Sequence, residues 1–149
     1  MKALRAIYRY WLTLLFLAVV AQIAAAAYGG FYAAQKLGDQ KGSDEHKLIS
    51  EKVFDHGFGY LIFLGAVVLL LLALAGRLGK RGILFSLAVP VAVVVQIVLA
   101  WISESVHGVG ILHGLNALVI FGLVGYLTGE QWRAARAAKA TATAAPQMT

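Results

Sequence analysis

"GFGYLIFLGAVVLLLLALAG", Gly57 to Gly76, contains no Asp, Glu, Lys or Arg. A helix needs roughly 20 residues to cross the hydrocarbon core of a bilayer, and this stretch meets that length. Three more stretches share the property: Tyr10 to Gln35, Gly82 to Ser103 and Gly108 to Gly129. The whole chain of 149 residues is 60% hydrophobic and 13% charged, with mean hydropathy +0.78, which excludes an ordinary water-soluble domain. The expected fold is all-α, an integral membrane four-helix bundle with spans at about 10–35, 57–76, 82–103 and 108–129.

The net charge of +6 is explained by topology before nucleic acid need be invoked. Lys2, Arg5 and Arg9 precede the first span, Arg77, Lys80 and Arg81 join the second to the third, and Arg133, Arg136 and Lys139 follow the fourth. All fall on one side, which the positive-inside rule makes the cytoplasm. The opposite side carries Asp39, Asp44, Glu45, Glu51, Asp55 and Glu104 with Lys36, Lys41, Lys47 and Lys52. The expected location is therefore a plasma (inner) membrane, with both termini cytoplasmic. The first span also has the basic start, apolar centre and small residues of a secretory signal, but its part in an internal repeat favours a retained helix. With no cysteine, the chain has no disulfides, iron–sulfur clusters or thiolate metal sites.

The repeat starts from "VVAQIAAA" at Val19 to Ala26 and "VVVQIVLA" at Val93 to Ala100, which align Gln22 with Gln96. "DHGFGYLIFLG", from Asp55, and "LHGLNALVIFG", from Leu112, then align His56 with His113. The chain reads as two tandem helix-pair repeats. The first half carries an extra outer insertion at about 36–55, where Ser43 is placed to cap a short helix with Asp44 and Glu45 in its first turn. Pro90 is expected to bend the third span, and residues 134–149, rich in alanine, to form a flexible cytoplasmic tail.

Both histidines stand at the outer ends of helices that run in the same direction. In an up-down bundle these helices occupy diagonal corners, so the two imidazoles are placed to hold one flat iron porphyrin between them, as in membrane b-type cytochromes. Gly57, Gly59, Gly110 and Gly114 would admit a macrocycle close to the backbone, and Phe63, Leu118 and Ile120 would wall it. Gln22, Gln96, Asn116 or a backbone carbonyl would hold the second ring nitrogen of each ligand. The bland reading places each histidine at the lipid–water boundary with its tip in water. Its recurrence at equivalent positions is what favours haem b. His107 reads as a loop or interface residue, His46 as solvated, and Trp11, Trp101 and Trp132 as interfacial anchors.

"FDHGFGYLIFLGAVVLLL" and "QIVLAWISESVHGVGILHGLNALVIFGLV" resemble the second helix and the third-to-fourth hairpin of one half of a heme A synthase. The resemblance extends over most of the chain up to about Glu130 and implies a four-helix half with haem held by His56 and His113. The family's second helix typically reads Glu-x-x-His-Arg, whereas Val53 and Gly57 stand at the glutamate and arginine positions here. The outer-loop cysteine pair of many members is also missing. Haem ligation is therefore carried over and synthase activity is not.

The expected function is electron transfer by a membrane cytochrome that is not an enzyme on its own, acting in a larger membrane assembly or as a homo-oligomer. A haem-modifying oxidase and a cofactor-free scaffold subunit are the alternatives. Transport is disfavoured, because no carboxylate or lysine lies along a span to mark a path.

Overall fold

The computed structural model describes residues 2–38, 57–106 and 108–144. The insertion from Asp39 onward, with its Ser43 cap, and His46, His56 and His107 lie outside the described residues. Among the described residues four helices make up the fold: α1 (Lys2–Gly38), α2 (Phe58–Ala75), α3 (Gly79–Ser105) and α4 (Val109–Ala144). Each is long and apolar enough to cross a membrane, so the chain is a multi-pass membrane protein. Helix is the form the medium dictates, since hydrocarbon offers backbone N–H and C=O groups no partner outside the segment itself.

α1 packs on α2 and α4, and α3 packs on the same two helices. The bundle is therefore a four-cornered ring in which α1 faces α3, and α2 faces α4, across the diagonals. Each helix turns a narrow seam inward: Tyr8, Leu12, Leu15 and Val19 on α1, Ile62, Ala66, Leu69 and Ala73 on α2, Val89 and Val93 on α3, Ile120, Val124 and Leu127 on α4. Steps of three and four keep one stripe on one face. Leu14, Leu61, Leu64, Leu84 and Leu118 are more than half exposed, an apolar surface that suits lipid and would be a liability in water.

Small residues bring the helices close. A Cβ on Gly65 would stand 3.1 Å from Leu15 Cδ1, and one on Gly125 would stand 3.1 Å from Phe16 Cε2. The bare backbone at Gly65 also exposes its carbonyl to Trp11, whose Nε1 donates to it at 2.8 Å. Trp11, expected as an interfacial anchor, thus ties α1 to α2. On the α1–α3 diagonal Ser86 Oγ donates to Gly82 O at 2.8 Å, which leaves Tyr8 OH to donate to Ser86 Oγ, also at 2.8 Å. α3 runs unbroken through buried Pro90, whose missing N–H leaves the Ser86 carbonyl without its usual helical donor.

α2 and α3 are joined by a Schellman turn, in which Leu78 N–H reaches Ala73 O and Arg77 N–H reaches Leu74 O. The turn needs a left-handed residue, and Arg77 fills that place with φ 48°, followed by Gly79 at φ 53°. α3 and α4 meet across residues 106–108, where Val106 N–H closes on Ile102 O. The stretch from Ala134, expected as a flexible tail, is helical to Ala144. Its alanines have the highest helix propensity, and Thr141 and Thr143 bond back to carbonyls one turn earlier.

Two substitutions test this packing through the thermal unfolding midpoint in detergent. Arg77→Gly should raise it, because it relieves a left-handed conformation that costs an L-residue about 1–2 kcal/mol. Gly125→Leu should lower it by overpacking the α1–α4 seam, at a cost of about 1–3 kcal/mol.

Candidate functional site

A half-open cavity of about 270 Å³ lies among the four helices, at the end of the bundle away from the chain termini. Val19, Ile62, Val93 and Ile120, one from each helix, line it and belong also to the buried core, so they form its floor. α1 contributes Val19, Gln22, Ile23 and Ala26, and α3 contributes Val93, Gln96, Ile97 and Ala100. The two sets correspond residue for residue in the matched segments from Val19 and Val93, so similar sequences wall the cavity from opposite corners. α4 adds His113, Ala117 and Ile120, a spacing that places all three on one helical face.

His113 is held by a chain of hydrogen bonds whose proton positions follow from its far end. Asn116 Nδ2 reaches two oxygens, Ala92 O at 2.9 Å and Gln96 Oε1 at 2.7 Å, which spends both amide protons. Gln96 therefore presents its Nε2 as donor to His113 Nε2, 3.0 Å away. That contact requires a lone pair on Nε2, so the imidazole proton sits on Nδ1 and is donated to the Gln96 backbone carbonyl at 3.2 Å. Side chain and main chain of one residue thus hold both ring nitrogens. The Nε2 lone pair, the one a metal would use, is thus occupied by the Gln96 amide, while Nδ1 is braced by a backbone acceptor.

Gln22 occupies the matching place on α1, and its Oε1 is buried without a hydrogen-bond partner. A buried orphan acceptor costs about 1–3 kcal/mol, which makes this atom a ready partner for a donor entering the cavity.

The structure sorts the expected residues. His113, Gln22, Gln96 and Gly59 line the cavity, with open space at the Gly59 Cβ position. Asn116 does not line it, and acts through Gln96. Gly57, Gly110 and Gly114 are exposed and outside the lining, because they fall on other turns or faces of their helices. Phe63 packs against the core, and Leu118 points outward at 60% exposure, so Ile120 alone of the three expected walls serves as one. Trp101, expected as an anchor, and Tyr60 also line the cavity. The sequence reading missed Ile23, Ala26, Ile97 and Ala100. Extending the alignment around the two glutamines by helical spacing would have found them.

No family model matches the chain, and neither a curated protein nor a solved structure does. The site is therefore read from its own residues. Asn116→Leu should release the Gln96 amide and destabilise the protein by about 1–3 kcal/mol, seen as a lower unfolding midpoint. Nitrogen-15 NMR of labelled histidine should find the His113 proton on Nδ1 in the parent chain and exchanging between both nitrogens in Asn116→Leu.

Proposed function

We propose that the chain is a membrane b-type cytochrome that carries electrons, with haem b held by His113 and His56. The observation that carries this reading is His113 itself, a histidine at a cavity wall with its Nδ1 braced and its Nε2 lone pair held only by a side-chain amide. α2, whose first residue follows His56 by two positions, lies diagonally opposite α4, the placement a two-histidine site requires.

The donor set and the cavity suit the group. Imidazole is the usual axial ligand of such haems, the floor is aliphatic, and Gly59 leaves its stretch of wall open. The cavity volume is below the usual range of small-molecule sites, so a macrocycle would fill it only in part and would extend through its open side. Held by His113 and His56, the group would supply one-electron redox chemistry.

The protein's own part is to orient and to exclude. Asn116 fixes Gln96, Gln96 fixes the imidazole proton, and Val19, Ile62, Val93 and Ile120 close the floor against the other half of the bundle. The cations at the end bearing the termini favour a plasma membrane orientation with that end cytoplasmic. The small chain is suited to service within a larger membrane assembly or as a homo-oligomer.

Optical spectroscopy tests the proposal. Full-length protein purified in detergent from haem-sufficient cells should show a low-spin cytochrome spectrum, and pyridine extraction should identify haem b. His113→Ala and His56→Ala should each abolish the low-spin signal. Colourless parent protein that is folded by circular dichroism would overturn the reading.

A further inference from the structure

The end of the bundle that carries the termini holds a second feature, independent of the cavity. Arg9 leaves α1 on the seam with α4, where its guanidinium carbon stands 4.7 Å from the centre of the Trp132 ring and 5.4 Å from that of Tyr10. The two rings meet edge to face, 5.7 Å apart at 85°. Trp132 is itself fixed, since its Nε1 donates to Thr13 Oγ1 at 3.0 Å, and Thr13 Oγ1 donates back to Arg9 O at 3.0 Å. The arginine is thus clamped in a closed loop of contacts between two helices.

Its clamping leaves its hydrogen-bonding capacity unused. A cation–π contact engages the guanidinium charge and spends none of its N–H donors on an acceptor. Arg9 Nε is sealed within the seam without a hydrogen-bond partner, and the two terminal nitrogens make no hydrogen bond among the described residues either, so these outer nitrogens are the donors that a ligand can reach. Arg81, on the α3–α4 seam, provides the contrast: it too lies near an aromatic ring, Phe85 at 5.6 Å, but its Nη2 donates to Tyr126 OH at 2.8 Å. Arg5, one turn before Arg9, and Arg133 and Arg136, beside and one turn beyond Trp132, add positive charge along the same two helices. Glu130 is the lone acidic residue in the chain at this end.

A pre-positioned fork of donors at the boundary of a charge-free span fits an oxygen-rich anion at headgroup depth. We infer that Arg9, with Trp132 and Tyr10, forms a specific binding site for the phosphate of an anionic phospholipid at the α1–α4 seam. The ligand is a lipid because the site stands where the apolar stretch of α1 begins, at Tyr10, so acyl chains can lie along the exposed apolar flank that includes Leu14 and Leu17. Pre-ordering of the guanidinium removes the entropy that a free surface arginine would lose on binding.

The test uses the full-length chain in neutral detergent, titrated separately with dioleoyl phosphatidylglycerol, dioleoyl phosphatidylcholine and inorganic phosphate. Thermal shift and native mass spectrometry are the readouts. Phosphatidylglycerol should raise the unfolding midpoint and remain bound in the gas phase, while phosphatidylcholine and phosphate should do neither. Arg9→Gln should weaken phosphatidylglycerol binding roughly fivefold or more. Arg9→Lys should recover little of that loss, because an ammonium lacks the planar fork. Arg81→Gln, which removes the same charge from the seam whose arginine is already bonded, should retain the preference. Equal losses in Arg9→Gln and Arg81→Gln would reduce the effect to diffuse attraction and overturn the site. Equal responses to phosphatidylglycerol and phosphatidylcholine, or a response to phosphate matching that to phosphatidylglycerol, would overturn it as well. If Arg9→Gln does not fold, Trp132→Leu provides the second route, and unchanged lipid preference there has the same meaning.

Discussion

Water is missing from the hydrocarbon layer, so a polar group placed there is costly unless it finds a partner within the protein, as most here do. For the backbone this requirement yields four continuous helices. For side chains it yields closed hydrogen-bond chains: Tyr8 to Ser86 to Gly82, Trp11 to Gly65, and Asn116 to Gln96 to His113. All but the Ser86–Gly82 bond run between helices, and these set helix register as well as satisfying the atoms. Apolar contact alone is a weaker guide here, since lipid tails are as apolar as leucine.

The bundle is not uniform along its axis. Towards the termini it is solid: Tyr8, Leu12, Leu69, Val89, Val124 and Leu127 are almost wholly buried, and Ala66, Ala73, Gly65 and Gly125 let helices approach. Beyond the floor made by Val19, Ile62, Val93 and Ile120 the helices enclose a cavity instead. One half therefore supplies rigidity, while the other supplies space with a few placed polar groups. This is the usual division between a scaffold and a site held on it.

His113 and Arg9 are each held by their surroundings, in different ways. The histidine has both nitrogens engaged, one by the Gln96 side-chain amide and the other by the Gln96 backbone carbonyl. The arginine has its charge against aromatic rings, while its terminal nitrogens make no hydrogen bond among the described residues. In each case packing has already restricted the side chain, so less freedom remains to be lost when a partner binds.

The all-α fold with four long apolar helices was legible in the sequence, because the lack of charge over a membrane-spanning length depends on residue type alone. His113, Gln22 and Gln96 were legible too, since a polar residue in an apolar helix is conspicuous and its place in the matched segments marks a common depth. Which glycines face the cavity was not legible: Gly59 and Gly114 look alike in sequence, and only helix rotation separates them. Nor could residue order reveal that Asn116 acts through Gln96, that Trp11 turns inward, or that Arg9 and Arg81 differ in their free donors. Those facts belong to the tertiary structure because each depends on the angle and register at which two helices meet, a quantity set by the packing of all four together.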